Sequence, residues 1–347
     1  MPEQKYTEVP RQNPPEFHKP PNAERLREAI IIGGGLAGLS AAIYLGRAMR
    51  DAVLIDAAHS LALWEHDVQN YLGFPEGISG EQLLENGRQQ ALRYGATLVQ
   101  DEIKEVGRDG DLFWARGKQG VYRGSRMLLC TGLYHVPPDI PEVNECLGKS
   151  MFFCKHCDGY RVQDKRILVQ GANDEAVEYA LGLMLYSPCV VIATNGSEPR
   201  WSPQHAAWIE EHEIPVHRSR ILEVEQCGGS MSSVLFETGE RVAIETLFTT
   251  RGDIYFNEFA KALGATVDED GQVVVDEDMR TNVPGLYAAG CITPANCQMI
   301  IAAGQGATAA QAINRDLFEA SLSNHSLRHY RKRQLREERT QPEVIAT

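Results

Sequence analysis

Two cysteines three positions apart, Cys154 and Cys157 in FFCKHCDGY, are the residues of this chain best placed to do chemistry. At that spacing the thiols meet in a small ring that passes between disulfide and dithiol, so the pair can take up and release two electrons. Lys155 and His156 lie inside the ring, where positive charge favours a thiolate. Asp158 follows at once, placed to pass a proton to or from a departing thiol. A zinc half-site is the competing reading, but a second CxxC or a His pair at ligand spacing is missing; an inert buried pair is the bland reading. Redox chemistry is favoured, and no metal site is expected. Of the other cysteines, Cys130, Cys146, Cys189 and Cys227 read as small buried hydrophobes, and for Cys291 and Cys297 ordinary buried thiols are favoured over a pairing.

The second chemical signal is Gly33-Gly34-Gly35-Leu36-Ala37-Gly38, a GxGxxG between a strand and a helix. Gly33 permits the tight turn, Gly35 lets a pyrophosphate approach the backbone, and Gly38 lets helix and strand pack closely. The phosphates would rest on the amides of the helix N-terminus. Asp56 ends the next strand, about 20 residues on, where an acid bonds a ribose hydroxyl. The motif alone does not separate FAD from NAD.

These groups need a scaffold, and the pattern supplies one twice. AIIIG, LAGLSAAIYLGRA and AVLID read as strand, helix and strand from Ala29; RILVQ, EAVEYALGLMLYS and CVVIAT repeat the arrangement from Arg166. After Thr250 come short strands such as QVVVD and GLYAAG, then the helix GQGATAAQAINRDLF, which reads as a return to the first domain. The expectation is an α/β protein with two Rossmann-like domains, the second inserted in the first. Residues 1–28 read as a flexible arm, 29–141 and 253–321 as the first domain, 142–252 as the second with the CxxC, and 322–347 as a tail rich in arginine from Arg328 to Arg339.

With 347 residues, 43% of them hydrophobic, the chain can bury two cores. A formal charge of −13 argues against wrapping nucleic acid or coating an anionic membrane. No apolar run approaches the roughly 20 residues that cross a bilayer, and the opening lacks a signal-peptide core, so a cytoplasmic protein is expected.

In order and spacing, IIGGGLAGLSAAIYLGRA, NYLGFPEGISGEQLLE, the CTG at Cys130-Thr131-Gly132, CKHCDGY, DEAVEYAL, GLYAAG and QMIIAAGQGATAA resemble the low-molecular-weight thioredoxin reductase family across residues 29 to 320. The resemblance implies FAD, a homodimer, and a second domain that normally binds NADPH. It places Cys157 toward the flavin, makes Cys154 the attacker of a thioredoxin-like disulfide, and makes Asp158 the acid–base group. Asn70, Thr131, Gly132, Gly290, Gln298 and Met299 match positions lining FAD, and a helix starting near Gly306 would aim its N-terminus at the flavin.

The chain departs from that family in three places. In Gly171-Ala172-Asn173-Asp174-Glu175-Ala176 the middle glycine of GxGxxA is Asn173, and Glu175 adds negative charge where a phosphate needs attraction. The His-Arg-Arg cluster for the NADPH 2′-phosphate is replaced by Thr194-Asn195-Gly196-Ser197-Glu198-Pro199-Arg200; a diverged site that still binds NADPH stays open. Gly290-Cys291 replaces Gly-Asp, exchanging a strong acceptor for the ribityl hydroxyls for a weak one. The sequence thus resembles the pyridine-nucleotide-independent branch, ferredoxin-linked or deeply rooted. Ferredoxin would dock on the basic tail, with His325, His329 and Tyr330 as candidates for a lid over the flavin; a solvated tail is the alternative. Two other functions remain in play, a flavin-dependent dithiol oxidase using oxygen and a non-catalytic flavoprotein module.

Overall fold

The computed structural model describes residues 25–327. In chain order, strand β1 (Leu26–Ile32), helix α1 (Leu36–Arg47) and strand β2 (Ala52–Asp56) open the fold. Strand β3 (Ile167–Gln170), helix α2 (Asp174–Leu183) and strand β4 (Val190–Ala193) repeat the unit, and the 25-residue helix α3 (Met299–Ser323) closes it. Contacts divide the described residues into two compact units, 25–60 with 86–132 and 257–327, and 61–85 with 133–256. The stretch 61–85 packs with the second group because Trp64 lies against Tyr134 and Phe153, at ring separations of 5.3 and 5.8 Å.

The first unit is built on a seven-stranded sheet. Its order is Thr97–Gln100, β2, β1, Val121–Leu129, Leu112–Gly117 and Ile103–Asp109, and Leu286–Ala288 adds to Val121–Leu129. Ile30, Ile31, Leu54 and Ile55 are buried in the parallel part, as expected for strands covered on both faces. Each such side chain contributes roughly 1.5–3 kcal/mol by leaving water. The strand begins at Leu26, three residues before the expected Ala29. Its charged start is fixed by Asp51, which accepts from both Arg25 (2.7 Å) and the buried Arg27. QVVVD forms no strand: Val273 makes one isolated bridge, to Val267. Helix α3 begins at Met299, well before Gly306, so the expected start is corrected. Gly306 is an interior residue whose Cβ would lie 2.0 Å from the Ala37 carbonyl oxygen, and glycine there lets α3 lie directly on α1.

The second unit holds a five-stranded parallel sheet in the order Val216–His217, β4, β3, Thr246–Thr249, Met151–Phe152, and a three-stranded antiparallel sheet from Ile221 to Ala243. Leu133–His135 pairs antiparallel with Asp253–Tyr255, so the strands that open and close the 133–256 stretch are hydrogen-bonded to each other. Cys130 and Cys146 are buried, but Cys189 and Cys227 are exposed, contrary to expectation. Cys189 precedes β4 and Cys227 ends its strand beside the Gly228-Gly229 turn, so neither reaches a core. Among the described residues no helix is long and apolar enough to cross a membrane. Arg328 to Arg339, His329, Tyr330 and residues 1–24 of the expected arm lie outside the described residues.

Candidate active site

At the first glycine turn each glycine answers to a different neighbour. Gly33 has φ +112°, and a Cβ there would lie 2.2 Å from the Cys130 carbonyl oxygen. At Gly38 it would lie 1.9 Å from the Gly33 oxygen, and at Gly34 2.2 Å from Asp56 Cγ, a constraint the motif alone does not reveal. Gly35 differs, because its nearest neighbour is Ser60 Oγ at 3.5 Å. The protein itself has no need of a glycine there, and the space is left for a ligand's close approach. Gly35 caps α1 without a side-chain bond, and the first turn, Leu36 and Ala37 included, carries no acid. Such a helix start suits an anion. The buried Asp56 accepts from the Ala58 amide at 2.8 Å, with Arg88 Nη2 3.6 Å from its other oxygen.

Thr131, Gly132 (φ +67°), Gly290 (φ +85°), Cys291, Gln298 and Met299 belong to this same unit. Asn70, an exposed residue, belongs to the other, as do Cys154, Cys157 and Asp158.

Cys154 and Cys157 form a disulfide, their Cα atoms 5.3 Å apart. Cys154 caps the short helix Lys155–Asp158, and its Sγ accepts the Cys157 amide at 3.1 Å. That bond would favour negative charge on Cys154 once the pair is opened. Lys155 reaches toward α2. Its ammonium donates to the Glu178 carbonyl (3.2 Å) and sits over the Tyr179 ring, both on α2.

Asp158 is buried and accepts from Arg161 Nη1 at 3.0 Å. Burial pushes its carboxyl up to about 6, with Arg161 opposing and Asp67 adding to the rise. Glu65, which no sequence spacing singled out, is pushed up to about 7, by burial first and then by the charge of Asp158. Two carboxyls and one guanidinium thus form a cluster around Asp158, the residue after Cys157, and burial pushes both carboxyls toward neutral pH.

The second glycine turn is closed by the chain itself. Asn173 caps α2, its Oδ1 accepting from the Ala176 amide (3.2 Å) and the Thr250 hydroxyl (3.3 Å). Asp174 and Glu175 fill the first turn with acid; Asp174 accepts the Ser202 amide at 2.6 Å, and the Arg200 amide donates to the Ala172 carbonyl at 2.6 Å. At the end of β4, Asn195 is spent on the Ile221 amide (2.8 Å) and the Asp139 carbonyl (3.3 Å).

Two units with glycine turns and one CxxC match a known pattern. Residues 27–313 fit the family model of the pyridine nucleotide-disulphide oxidoreductases. The chain belongs to that family. It is similar to a thioredoxin reductase of Treponema pallidum, 32% identical over 294 residues that cover 82% of this chain and 95% of the relative. Among solved structures it is similar to HlmI, with a TM-score of 0.82, 28% identity and coverage of 91% and 99% of the two chains. It is also similar to a Bacillus anthracis protein described as a thioredoxin reductase, with a TM-score of 0.78, 29% identity and coverage of 85% and 99%. As a member of the family the chain is an FAD-dependent disulfide oxidoreductase. The open space at Gly35 and the acid-free start of α1 fit that cofactor. Among the described residues no group of three His, Cys, Asp or Glu side chains gathers as a metal site.

One expectation is corrected near α3. Cys291 and Cys297 are not ordinary thiols: they form a disulfide across a short loop, their Cα atoms 4.8 Å apart. The loop bends back at Gly290 and Thr293 through backbone hydrogen bonds, which six residues of sequence separation do not disclose. His325 is exposed just beyond the C-terminal end of α3. A 25-residue helix rises about 37 Å, which puts His325 a helix length from Gln298 in its own chain.

Proposed function

We propose that this chain moves electrons from a donor other than a nicotinamide nucleotide, through FAD and the Cys154–Cys157 pair, to a thioredoxin-like protein disulfide, acting as a homodimer. The observation that carries this reading is the contrast between the glycine turns. The first keeps its helix start free of side-chain caps and acids, while the second spends its start on Asn173 and faces any phosphate with Asp174 and Glu175. Ferredoxin as the donor rests on the basic run from Arg328 to Arg339 in the sequence.

Bound FAD would supply a two-electron store. In the reduced pair, Cys154 Sγ, favoured as thiolate by the Cys157 amide, attacks the partner disulfide, and Cys157 then displaces the partner and restores the enzyme disulfide. Asp158 gives a proton to the departing thiolate, and Glu65 keeps a second proton within the same cluster up to about pH 7.

Anaerobic titration of the oxidised holoprotein tests the donor. NADPH at near-stoichiometric amounts should leave the flavin absorbance intact, and dithionite or reduced ferredoxin should bleach it; prompt bleaching by NADPH overturns the reading. Rapid hydrogen peroxide formation on aerobic mixing with a small dithiol would instead favour a dithiol oxidase. Turnover that is lost in Cys154→Ser or in Cys157→Ser would exclude a non-catalytic flavoprotein module.

A further inference from the structure

The Cys291–Cys297 disulfide belongs to the unit that carries the first glycine turn, and the chemistry above makes no use of it. Its loop is already secured without the sulfurs. The Thr293 amide and hydroxyl both donate to the Gly290 carbonyl at 2.9 Å, the Gly290 amide donates to Gln305 Oε1 at 2.8 Å, and Gln272 donates to the Thr293 carbonyl at 3.1 Å. A bridge across so short a loop constrains the unfolded chain less than one across a long loop would, and the folded loop keeps its shape through these hydrogen bonds whether or not the sulfurs are joined.

Reactivity is better served. Both residues are half-buried, whereas Cys130 in the same unit is fully enclosed and burial drives its thiol upward. Cys297 stands one residue before the N-cap of the 25-residue α3, where the helix start stabilises a thiolate and makes Cys297 the better leaving sulfur. The loop also leans on the dinucleotide turn. A Cβ at Gly290 would lie 3.1 Å from Ala37 Cβ, and one at Gly306 would lie 2.0 Å from the Ala37 carbonyl oxygen.

We propose that Cys291–Cys297 is a second thiol–disulfide exchange centre, opened by a dithiol, and that its opening loosens the grip of the Gly33–Gly38 turn on FAD. A thiolate of the dithiol bonds to Cys291 Sγ, and the Cys291–Cys297 bond breaks with its electron pair leaving on Cys297 Sγ, which takes a proton. The second thiol of the reagent then displaces Cys291, so that two electrons and two protons pass to the pair and the reagent leaves as a disulfide. The proposal rests on family membership for its cofactor and is independent of which donor reduces the flavin.

The test uses the full-length holoprotein and a Cys154→Ser/Cys157→Ser double variant, in which the first centre cannot relay electrons. Both are equilibrated without oxygen in buffers of reduced and oxidised dithiothreitol, acid-quenched and alkylated, and the cysteine peptides are weighed. Flavin passing a size filter is reoxidised in air and measured by fluorescence. In both proteins Cys291 and Cys297 should become alkylated at the reducing end while the circular dichroism stays folded. FAD retention should fall about tenfold over the same steps, the factor carried by roughly one unmade hydrogen bond. Cys291→Ser/Cys297→Ser should release FAD as readily in oxidising buffer as the reduced protein does. A bridge that opens only after urea unfolds the chain, a pair found as free thiols in fully oxidising buffer, or an opening that leaves FAD retention unchanged would each overturn the proposal.

Discussion

Replacing Asp158 with Asn should remove a specific pH dependence from the stability of the 61–85 and 133–256 unit. The Asp158 carboxyl rises from 3.8 to about 6, mainly because burial disfavours its charge. A raised carboxyl contributes stability that is complete below the unfolded value and is lost as pH climbs through the folded value. A rise of about 2.2 units corresponds to about 3 kcal/mol in all, and the linkage relation puts about 1.4 kcal/mol of that between pH 5 and pH 8. The variant keeps an oxygen for Arg161 to donate to but has no proton to lose. Urea unfolding at the two pH values, followed by tryptophan fluorescence, reports on this unit, since Trp64, Trp201 and Trp208 lie in it and only Trp114 does not. The wild type should weaken relative to Asp158→Asn by about 1.4 kcal/mol on going from pH 5 to pH 8. A wild-type minus variant difference that stays constant within about 0.5 kcal/mol would refute the burial argument for Asp158.

Gly35→Ala should leave the fold intact, because a Cβ there meets only Ser60 Oγ at 3.5 Å, yet should weaken FAD retention by more than about tenfold by filling the approach to the backbone; ultrafiltration measures the second and thermal melting the first. Asn173→Gly with Glu175→Ala should let NADPH bleach the flavin where it does not in the wild type, at a cap cost of only a few tenths of a kcal/mol. Glu65→Gln removes the group that titrates near 7 and leaves Asp158 near 6. The alkaline limb of disulfide turnover should therefore move down by about one pH unit, as a rate profile across pH 5 to 9 will show, whereas an unmoved limb would separate Glu65 from the proton path.

What could be read in the sequence was what sequence spacing itself determines. The turn at Gly33 to Gly38, the CxxC and the Asn173 departure each act within a few residues, so chemistry and order along the chain coincide. Features made by folding were not visible. The Glu65 carboxyl is pushed up first by its own burial and then by the charge of Asp158, far along the chain, and Lys155 is drawn to α2 by a carbonyl and a ring more than twenty residues away. Gly306 looks like an interruption of a helix until α1 is known to lie against it. The pairing of Cys291 with Cys297 depends on a backbone reversal at Gly290 that composition does not encode.

The short ribbon of Leu133–His135 against Asp253–Tyr255 has a bearing on ancestry and engineering. A segment whose two ends are stitched side by side can be lifted out, shortened or exchanged without stretching the polypeptide that remains. The intervening 136–252 stretch can thus be exchanged between Leu133 and Tyr255 for a counterpart from a relative with an intact nucleotide turn, provided the graft keeps a surface for the 61–85 stretch that packs in the same unit.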